Sequence, residues 1–497
     1  MSRDRLRILF IASEVEPFAK TGGLADVAGA LPKALASLGH DVRVLMPKYR
    51  GVEKAAGALR PVVPRLEAPV GERPVEAALL EGRLGSGIPV YFLAQDAYYD
   101  RPSLYTTAEG DYPDNCERFV FFSRAALEAL PRLPGGGWWP HVIHAHDWQA
   151  GLVPVYLETL YRDRPGYRDV ATVFTIHNLA YQGLFWHYDL PMTGLGWDLF
   201  TPAGIEFYGK INFLKGGLVF GDLLTTVSPT YAKEIQTREY GEGLDGVLRE
   251  RSEDLLGILN GIDYEAWNPA TDADLPKRFG PDDLEGKAVC KAGLQSEMGL
   301  AAAPRAPLVG VVSRLADQKG LDLVAAAVPA IVEAGGQFVL LGAGDARYEL
   351  AFTDLATAHP GRVGVKIGFN AGLARRIYGG ADCFLMPSRY EPCGLGQLIS
   401  LRYGTIPVVR RTGGLADTIR EAPKSKGPGT GFVFDALTPE ACRAAVARAL
   451  EAYRTPATWS RMVHAAMAED FSWEASADKY VTCYRKAMKK AARRGHA

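Results

Sequence analysis

Short apolar runs alternate with longer segments of helical periodicity along most of the chain. This alternation is typical of βαβ units and predicts an α/β protein with parallel sheets. The predicted strands cover residues 8–12, 42–46, 90–94, 142–145, 170–176 and 223–227, and then 308–312, 338–341, 363–367, 383–386 and 406–409. The clearest helical patterns cover residues 24–38, 395–403, 439–453 and 473–489.

A polar passage separates the two series of strands and indicates a domain boundary. A turn with the sequence LNGID occupies residues 259–263, and Pro- and Asp-rich sequence follows it to residue 283. A chain of 497 residues is also too long for one ordinary core, so two domains of about 250 residues each are expected. We predict a first domain at residues 1–262, a second at 263–470 and a C-terminal helical segment at 471–497.

The composition argues against several classes of function. Hydrophobic residues make up 47 % of the chain, charged residues make up 23 %, and the formal net charge is −1. These values describe an ordinary globular protein and not one that binds nucleic acid or a membrane surface through charge. The sequence has no apolar run of membrane-spanning length and no signal-peptide core. Six scattered cysteines without CxxC spacing predict reduced thiols and a cytoplasmic protein, and the oligomeric state stays open.

The segment SRYEPCGLGQ, at residues 388–397, joins a predicted strand to a predicted helix. Open α/β sheets bind ligands at loops of this kind, beyond the carboxyl ends of their strands. Backbone amides from residue 393 to residue 396 would face an anion or a group rich in hydroxyls, and the Glu391 carboxylate lies at the same rim. The alternative is a solvated turn without a ligand.

One turn motif occurs twice, as KTGGLAD at residues 20–26 and as RTGGLAD at residues 411–417. Gly22 and Gly23 have no side chains, so their amides can approach a phosphate closely, and Lys20 adds a mobile charge. The spacing is not that of a Walker A loop. Two similar domains facing each other would present these turns across a shared cleft, whereas the alternative is a coincidence of turn composition.

The segment VSRLADQKG, at residues 312–320, also lies between a strand and a helix. Arg314 can bind two phosphate oxygens at once, and Lys319 supplies a compact charge. The alternative is a pair of surface bases on a loop.

Two histidine-containing segments each follow a predicted strand. In HAHDW, at residues 144–148, His144 and His146 share a strand face, but no third metal ligand follows at a suitable spacing. In TIHNLAYQG, at residues 175–183, His177 lies just past the strand and is either a site residue or an interior imidazole bonded to backbone. A DAD sequence at residues 272–274 lies in the polar linker, and we assign it no metal.

Together these motifs resemble those of the bacterial glycogen and starch synthases, which are retaining glycosyltransferases. The resemblance covers most of the chain, and the motifs follow the family order from residue 20 to residue 417. It implies an α/β fold of the GT-B type, in which two Rossmann-like domains face each other across a deep cleft. It also implies that the last helix crosses back to pack on the first domain.

The resemblance further implies a role for each motif residue. Glu391 would contact the donor sugar, Arg314 and Lys319 would hold the donor diphosphate, and His177 would lie over the transferred sugar as the fourth catalytic residue. Asp26 and Asp147 would lie on the acceptor side. The residues that would bind ADP-glucose are Lys20, Gly22, Gly23, Asn260 near the sugar hydroxyls, Cys393, Gly394, Leu395, Thr412 and Gly413.

The expected activity is transfer of glucose from ADP-glucose to the non-reducing end of glycogen or another α-1,4-glucan, with retention of configuration. Neither a metal nor a cofactor is expected, and neither nucleic acid nor a membrane is an expected partner. One alternative is a glucan phosphorylase-like enzyme, which would need a lysine site for pyridoxal phosphate. Another is a non-catalytic glucan-binding protein, which would not need both Arg314 and Lys319. The choice between ADP-glucose and UDP-glucose stays open, as does the choice between a covalent and a same-face mechanism.

Overall fold

The computed structural model of the chain describes residues 5–85, 87–107, 109–422 and 428–494. It divides into two compact units, Met1–Gly261 together with Trp473–Ala497, and Ile262–Ser472. The divisions predicted from the sequence lie after residues 262 and 470. Among the helices of the described residues, none combines the length and the apolar composition needed to cross a bilayer.

The first unit contains the strands that precede residue 262. They are Arg7–Ile11 (β1), Asp41–Pro47 (β2), Arg60–Val70 (β3), Arg73–Leu84 (β4), Ile88–Ala94 (β5), Thr106–Thr107 (β6), Gly110–Asp111 (β7), Val142–His146 (β8), Ala171–Ile176 (β9), Leu184–Trp186 (β10), Glu206–Phe207 (β11), Lys210–Asn212 (β12), Leu223–Thr226 (β13) and Leu255–Gly257 (β14). Nine of them form one sheet in the order β14-β13-β9-β8-β1-β2-β5-β4-β3, and β10-β12-β11 form a small separate sheet. Strands β1 and β9 are buried almost throughout, which is why most of their residues are apolar on both faces.

The edge of this sheet departs from the parallel pairing that the sequence predicts. The long strands β3 and β4 form an antiparallel hairpin, and β4 also pairs antiparallel with β5. Strand β3 contains Pro61, Pro64 and Pro69, which suggest a loop when read in the sequence. Proline cannot donate a ladder hydrogen bond, so it is tolerated here because β3 is the outermost strand.

Helices connect the strands of the first unit. They are Gly23–Ser37 (α1), Glu53–Ala56 (α2), Asp96–Tyr99 (α3), Asn115–Ala129 (α4), Leu152–Tyr156 (α5), Leu190–Thr193 (α6), Phe213–Phe220 (α7), Pro229–Glu234 (α8) and Asp245–Glu250 (α9). Helix α1 is amphipathic and buries its apolar face. The apolar residues at helical spacing, all of them buried, are Leu24, Val27, Leu31 and Leu35.

The second unit has one six-stranded sheet. Its strands are Leu308–Val312 (β15), Gln337–Gly342 (β16), Val363–Ile367 (β17), Cys383–Met386 (β18), Ile406–Arg410 (β19) and Phe432–Phe434 (β20). They are all parallel and lie in the order β17-β16-β15-β18-β19-β20. Numbered from one within the unit, this is the 3-2-1-4-5-6 order of a Rossmann fold.

The helices of the second unit pack on this sheet. They are Glu285–Glu297 (α10), Leu321–Glu333 (α11), Ala346–Ala358 (α12), Ala371–Gly380 (α13), Gly396–Arg402 (α14), Gly413–Thr418 (α15), Pro439–Tyr453 (α16) and Pro456–Met467 (α17). A buried ion pair fixes the middle of the sheet, because Asp382 accepts hydrogen bonds from the Lys291 ammonium at 2.6 Å and from the Leu308 amide at 2.8 Å. The pair therefore ties the start of β15 to the start of β18.

The last helix, Trp473–Arg494 (α18), belongs to the first unit. Its Ser476 hydroxyl donates to the Leu259 carbonyl at 2.7 Å, and its buried Tyr484 hydroxyl lies 2.9 Å from Nδ1 of His144. The C-terminal segment is thus one of the layers that cover the first sheet.

The parallel strands of each large sheet have one point at which the strand order reverses. This point lies between β1 and β8 in the first unit and between β15 and β18 in the second. Loops that leave the carboxyl ends of two such strands diverge, and the crevice between them is the usual ligand site of open α/β sheets. KTGGLAD, VSRLADQKG and SRYEPCGLGQ follow β1, β15 and β18, and HAHDW lies at the end of β8. TIHNLAYQG and RTGGLAD follow the neighbouring strands β9 and β19.

Candidate active site

In the second unit, the loops after β15 and β18 bring an ammonium and a carboxylate into direct contact. Nζ of Lys319 lies 2.7 and 3.0 Å from the two carboxylate oxygens of Glu391, and the Ser388 hydroxyl donates to the same carboxylate at 2.9 Å. Glu391 is only 5 % exposed. Lys319, which is predicted to bind phosphate, and Glu391, which is predicted to contact the sugar, are therefore paired with each other in this structure.

A glycine permits this close approach of the two loops. Gly320 has a φ of +64°, and a Cβ atom at this position would lie 2.2 Å from the Pro387 carbonyl oxygen. Any other residue would push the loop that carries Lys319 away from the loop that carries Glu391.

Arg314 lies on the same loop as Lys319 but faces solvent. The Arg314 guanidinium lies 3.5 Å from Oε1 of Gln318. It makes no ion pair with a described residue. The neighbouring bases Arg347 and Arg389, in contrast, are paired with Asp317 and Asp322. Arg314 is thus a guanidinium at the ligand edge of the sheet that is available to an anion.

The second copy of the repeated turn motif packs against the loop that carries Glu391. The Gly414 amide donates to the Glu391 carbonyl at 3.1 Å. A Cβ atom on Gly413 would lie 1.9 Å from that carbonyl oxygen, and one on Gly414 would lie 2.0 Å from the Cys393 carbonyl oxygen. Thr412 and Gly413, both predicted to bind the donor, are therefore neighbours of Glu391 and Cys393.

Replacement of Gly413 with alanine should reduce both stability and activity. The backbone there has a φ of +42°, so alanine adds strain of about 1–2 kcal/mol as well as the collision with Glu391. Gly299→Ala is a matched control, because Gly299 has a φ of +68° but an open space around its Cβ position. Melting temperatures and kcat should fall clearly more for Gly413→Ala, and equal effects in the two variants would show that the collision does not matter.

Gln397 also shapes this loop, although the sequence analysis assigned it no role. Its side-chain amide is fully buried and donates to the carbonyls of Cys393 and Gly394 at 2.9 and 3.0 Å. Gly394 has a φ of +77°, and a Cβ atom there would meet Oε1 of Gln397 at 2.4 Å. The predicted ligand segment from Cys393 to Leu395 is thus held by a glutamine on the first turn of α14.

In the first unit, a buried glutamate organises the loop after β1. Glu14 is 3 % exposed and accepts hydrogen bonds from the hydroxyl of Thr21 at 2.7 Å and from the amides of Thr21 and Gly22. The Tyr105 hydroxyl donates to it as well, at 2.9 Å. The Gly22 amide, which the sequence analysis assigned to a phosphate, therefore bonds to Glu14, and Gly23 begins helix α1. No sequence pattern identifies Glu14, because its contacts are with backbone amides of a turn seven and eight residues further along the chain.

The two charged residues of the first turn motif contact each other. Nζ of Lys20 lies 2.6 Å from a carboxylate oxygen of Asp26 and 3.8 Å from one of Glu16. Burial raises the pKa of Asp26 above its ordinary value, while Lys20 acts in the opposite direction. The predicted donor ligand Lys20 and the predicted acceptor-side Asp26 thus form an ion pair in this structure.

Asp147 connects the ends of β8 and β9. Its Oδ1 accepts the backbone amide of His177 at 2.7 Å. Its φ of 53° is unusual for a residue other than glycine, and such strain is concentrated at functional sites. Asp147 and His177, which the sequence analysis selected separately, are therefore held together beside the reversal point of the first sheet.

Asp147 should make the protein less stable as the pH rises. Burial raises the pKa of its carboxyl from 3.8 to about 8, against the opposing effect of the His177 amide. Between these values the carboxyl is protonated in the folded chain and ionised in the unfolded chain, so the folded chain binds more protons. The free energy of unfolding should therefore fall with rising pH, by at most about 1.4 kcal/mol per pH unit, and should level off above the folded pKa.

Thermal denaturation of the wild type and of Asp147→Asn tests this expectation. The variant cannot ionise, so its melting temperature relative to the wild type should increase with pH until about pH 8. A difference that stays constant with pH would show that Asp147 is ionised in the folded protein.

Three buried histidines lie side by side behind Asp147. The His144 and His146 rings are 4.1 Å apart, and Nδ1 of His146 lies 2.9 Å from Nε2 of His177. Burial lowers the pKa of His177 to about 3 and lowers the pKa values of His144 and His146 well below their ordinary value. All three are therefore neutral imidazoles near pH 7, and His144 is a structural residue bonded to Tyr484 and Thr175.

Asn260 and Phe369 offer two further groups for a ligand, one in each unit. Asn260 is 4 % exposed, and its side-chain oxygen is buried without a hydrogen-bond partner among the described residues, which suits a hydroxyl donor. Phe369, which the sequence analysis passed over, follows β17 and is 94 % exposed. An aromatic ring so exposed at the ligand edge of a sheet is a candidate for stacking on a flat group.

The described residues contain no group of three or more His, Cys, Asp or Glu side chains that could hold a metal ion. Asp272, from the DAD sequence, instead accepts hydrogen bonds from Tyr403 at 2.5 Å and Arg375 at 3.1 Å. Its role is therefore to join the linker to the second unit.

The structure defines an α/β protein with two Rossmann-like units, and the second unit carries cationic side chains at the reversal point of its sheet. This is the architecture of a GT-B glycosyltransferase. Residues 7–250 match the family described as starch synthase catalytic domain, and residues 299–463 match glycosyl transferases group 1. The chain belongs to the glycogen synthase and starch synthase family.

Individual relatives agree with this assignment over almost the whole chain. A glycogen synthase of Syntrophotalea carbinolica is 50 % identical over 97 % of this chain and 99 % of that protein. A glycogen synthase of Anaeromyxobacter dehalogenans is 51 % identical over the same shares. The catalytic domain of starch synthase IV from Arabidopsis thaliana, solved with ADP and acarbose, has a TM-score of 0.89 at 36 % identity and covers 98 % of this chain and 100 % of its own.

Proposed function

We propose that the protein transfers glucose from ADP-glucose to the non-reducing 4-hydroxyl of an α-1,4-glucan and retains the configuration of the transferred sugar. The observation that carries this proposal is the group of Arg314, Lys319 and Glu391 at the reversal point of the second sheet. The names of the relatives support the reaction, and the ADP and acarbose in the Arabidopsis enzyme support the classes of donor and acceptor.

The second unit supplies the charge that this reaction needs. Cleavage of the bond between sugar and phosphate leaves negative charge on the departing ADP, and donors fixed in advance stabilise such charge most effectively. Arg314 is available to the diphosphate, and Lys319 can exchange the Glu391 carboxylate for a phosphate oxygen. Because these donors are side chains of the chain itself, we propose a reaction without a metal or cofactor.

Glu391 has a separate part in the proposed reaction. Once Lys319 turns to the phosphate, the carboxylate keeps its bond from Ser388 and has acceptor sites for the sugar hydroxyls. Retaining glycosidases use a second carboxylate as a nucleophile. We propose instead that the departing phosphate itself takes the proton of the acceptor hydroxyl on the same face of the sugar.

An assay of product formation distinguishes this proposal from its alternatives. The protein is mixed with ADP-glucose and glycogen in the presence of a chelator, and released ADP is measured with UDP-glucose run in parallel. We expect ADP release that depends on glycogen. A phosphorylase-like enzyme would instead form glucose 1-phosphate from glycogen and phosphate when pyridoxal phosphate is supplied, and a glucan-binding protein would form no product. Either result would overturn the proposal.

A further inference from the structure

His146 is a fully buried histidine that has no part in the proposed reaction as described so far. It is the last residue of β8, and its ring lies 5.4 Å from the Phe10 ring and 4.1 Å from the His144 ring, both measured between ring centroids. Its Nδ1 atom lies 2.9 Å from Nε2 of His177. The one hydrogen bond that this side chain makes to a described residue is therefore made to a residue of the candidate active site.

Only one of the two facing nitrogen atoms can carry the proton of this hydrogen bond. Burial lowers the pKa of His177 to about 3 and lowers the pKa of His146 well below its ordinary value. Each ring is therefore neutral near pH 7 and carries a single N–H group. Either Nδ1 of His146 donates to Nε2 of His177, or the donation runs in the opposite direction.

The second ring nitrogen of His146 decides the direction. This Nε2 atom is buried and has no hydrogen-bond partner among the described residues. If His177 were the donor, the proton of His146 would have to lie on Nε2, as a buried N–H group without an acceptor. Buried N–H groups without an acceptor are rare in folded proteins, rarer than buried acceptors without a donor. Donation from His146 to His177 is therefore favoured.

This direction also fixes the position of the proton on His177. Because Nε2 of His177 accepts the hydrogen bond, its own proton lies on Nδ1. The Nδ1 atom makes no hydrogen bond with a described residue, whereas the backbone amide of His177 donates to Asp147. The ring of His177 therefore has an N–H group that is available to a ligand.

We propose that His146 is a positioning residue, which donates its Nδ1–H group to His177 and so holds the Nδ1–H group of His177 toward a hydroxyl group of the transferred sugar. This inference rests on the proposed function, which supplies the sugar. A hydroxyl oxygen accepts a donor of this kind, and a donor whose direction is fixed in advance needs no reorganisation during the reaction. Without the N–H group of His146, the His177 ring would be free to turn or to change its tautomer.

Two substitutions of His146 separate hydrogen bonding from packing. His146→Asn keeps an N–H group near the position of Nδ1 and loses the ring, whereas His146→Phe keeps a flat ring and loses the donor. We expect kcat to fall about tenfold or more in His146→Phe, because a misplaced group at the reacting centre lowers the rate, and to fall clearly less in His146→Asn. The KM for ADP-glucose should stay close to that of the wild type in both variants, because the diphosphate is held by other residues.

His141→Phe is the matched control. His141 precedes the opposite end of β8, and its Nδ1 atom accepts the backbone amide of Arg7 at 3.1 Å. The substitution therefore also replaces a hydrogen-bonded imidazole with a phenyl ring, but away from His177. Its kcat should equal that of the wild type.

The tautomer of His177 provides a readout that does not depend on activity. In protein labelled with ¹⁵N at its histidines, long-range correlations between ring protons and ring nitrogens show which nitrogen carries the proton. The signals of His177 are assigned by their loss in His177→Asn. We expect the proton on Nδ1 of His177 in the wild type and in His146→Asn, and a shift to Nε2 or exchange between both nitrogens in His146→Phe.

The outcomes separate this inference from the proposed function. A proton on Nε2 of His177 in the wild type would overturn the inference. A loss of kcat in His146→Phe that is equal to or smaller than the loss in His146→Asn would also overturn it, and would show that the ring acts through packing. A wild type that shows the expected tautomers but releases no ADP from ADP-glucose and glycogen would overturn the proposed function and leave the direction of the hydrogen bond in place.

Discussion

Replacement of Arg314 or Lys319 with alanine should lower kcat by about a hundredfold or more while leaving the affinity for glycogen close to that of the wild type. Each side chain is expected to stabilise negative charge on the departing diphosphate, and loss of one such donor typically costs about 3 kcal/mol in the transition state. Arg314 has no competing ion pair among the described residues. Lys319 has to give up its ion pair with Glu391 before it can bind the diphosphate. Measurement of kcat with saturating ADP-glucose and of glycogen binding without the donor separates the two effects.

Two surface residues of the second unit provide matched controls. Arg443 is partly exposed and paired with Glu440, and Lys277 is partly exposed and lies 3.8 Å from Glu285. Arg443→Ala and Lys277→Ala remove charges of the same sign at positions outside the loops that follow β15 and β18. Their kcat should stay within about twofold of the wild type, as surface substitutions change little. A near-normal kcat in Arg314→Ala or Lys319→Ala would reject the assignment to the diphosphate.

Replacement of Glu391 with glutamine should lower glucosyl transfer by about a hundredfold or more, because the carboxylate is expected to orient the sugar through charge-assisted hydrogen bonds. The affinity for ADP should not fall. Lys319 is bound to Glu391 in this structure, and the variant would release the ammonium for a phosphate. Calorimetric titration with ADP, together with the transfer rate, measures both expectations.

Ser388→Ala is the control for the Glu391 variant. It removes one hydrogen bond to the carboxylate but keeps its charge, so its rate should lie between those of the wild type and Glu391→Gln. Parallel loss of ADP binding and activity in Glu391→Gln would place Glu391 in the nucleotide pocket or in the structural support of the loop.

The central strands could be predicted because they are buried on both faces. The predicted bounds 308–312 and 383–386 coincide with the central strands β15 and β18. The bounds 363–367 also coincide with β17, although β17 is an edge strand whose last residues are exposed. The hairpin of β3 and β4 was missed because its prolines are tolerated only at a sheet edge, and the position of a strand in a sheet is not a local property. The short strands of the small sheet, from β10 to β12, have too few residues to show a period.

The candidate site could be predicted in its motifs but not in its internal contacts. A loop that joins a strand to a helix can be read locally, which is how Arg314 and Glu391 were selected. The contact between Lys319 and Glu391 joins loops 72 positions apart in sequence, and it depends on the order of the strands. Glu14 and Gln397 bond to backbone groups, and bonds of this kind leave no pattern in the sequence. Only the fold therefore identifies these two residues.

The most direct test of the account is the linkage that the protein forms. The protein, ADP-glucose labelled with ¹³C at C1 of glucose and an unlabelled maltooligosaccharide are incubated with a chelator, and the products are followed by NMR. The account predicts that the label enters α-1,4 linkages at non-reducing ends, with one ADP released for each glucose added. A β-linked product would contradict retention, and labelled free glucose as the main product would contradict transfer to a glucan.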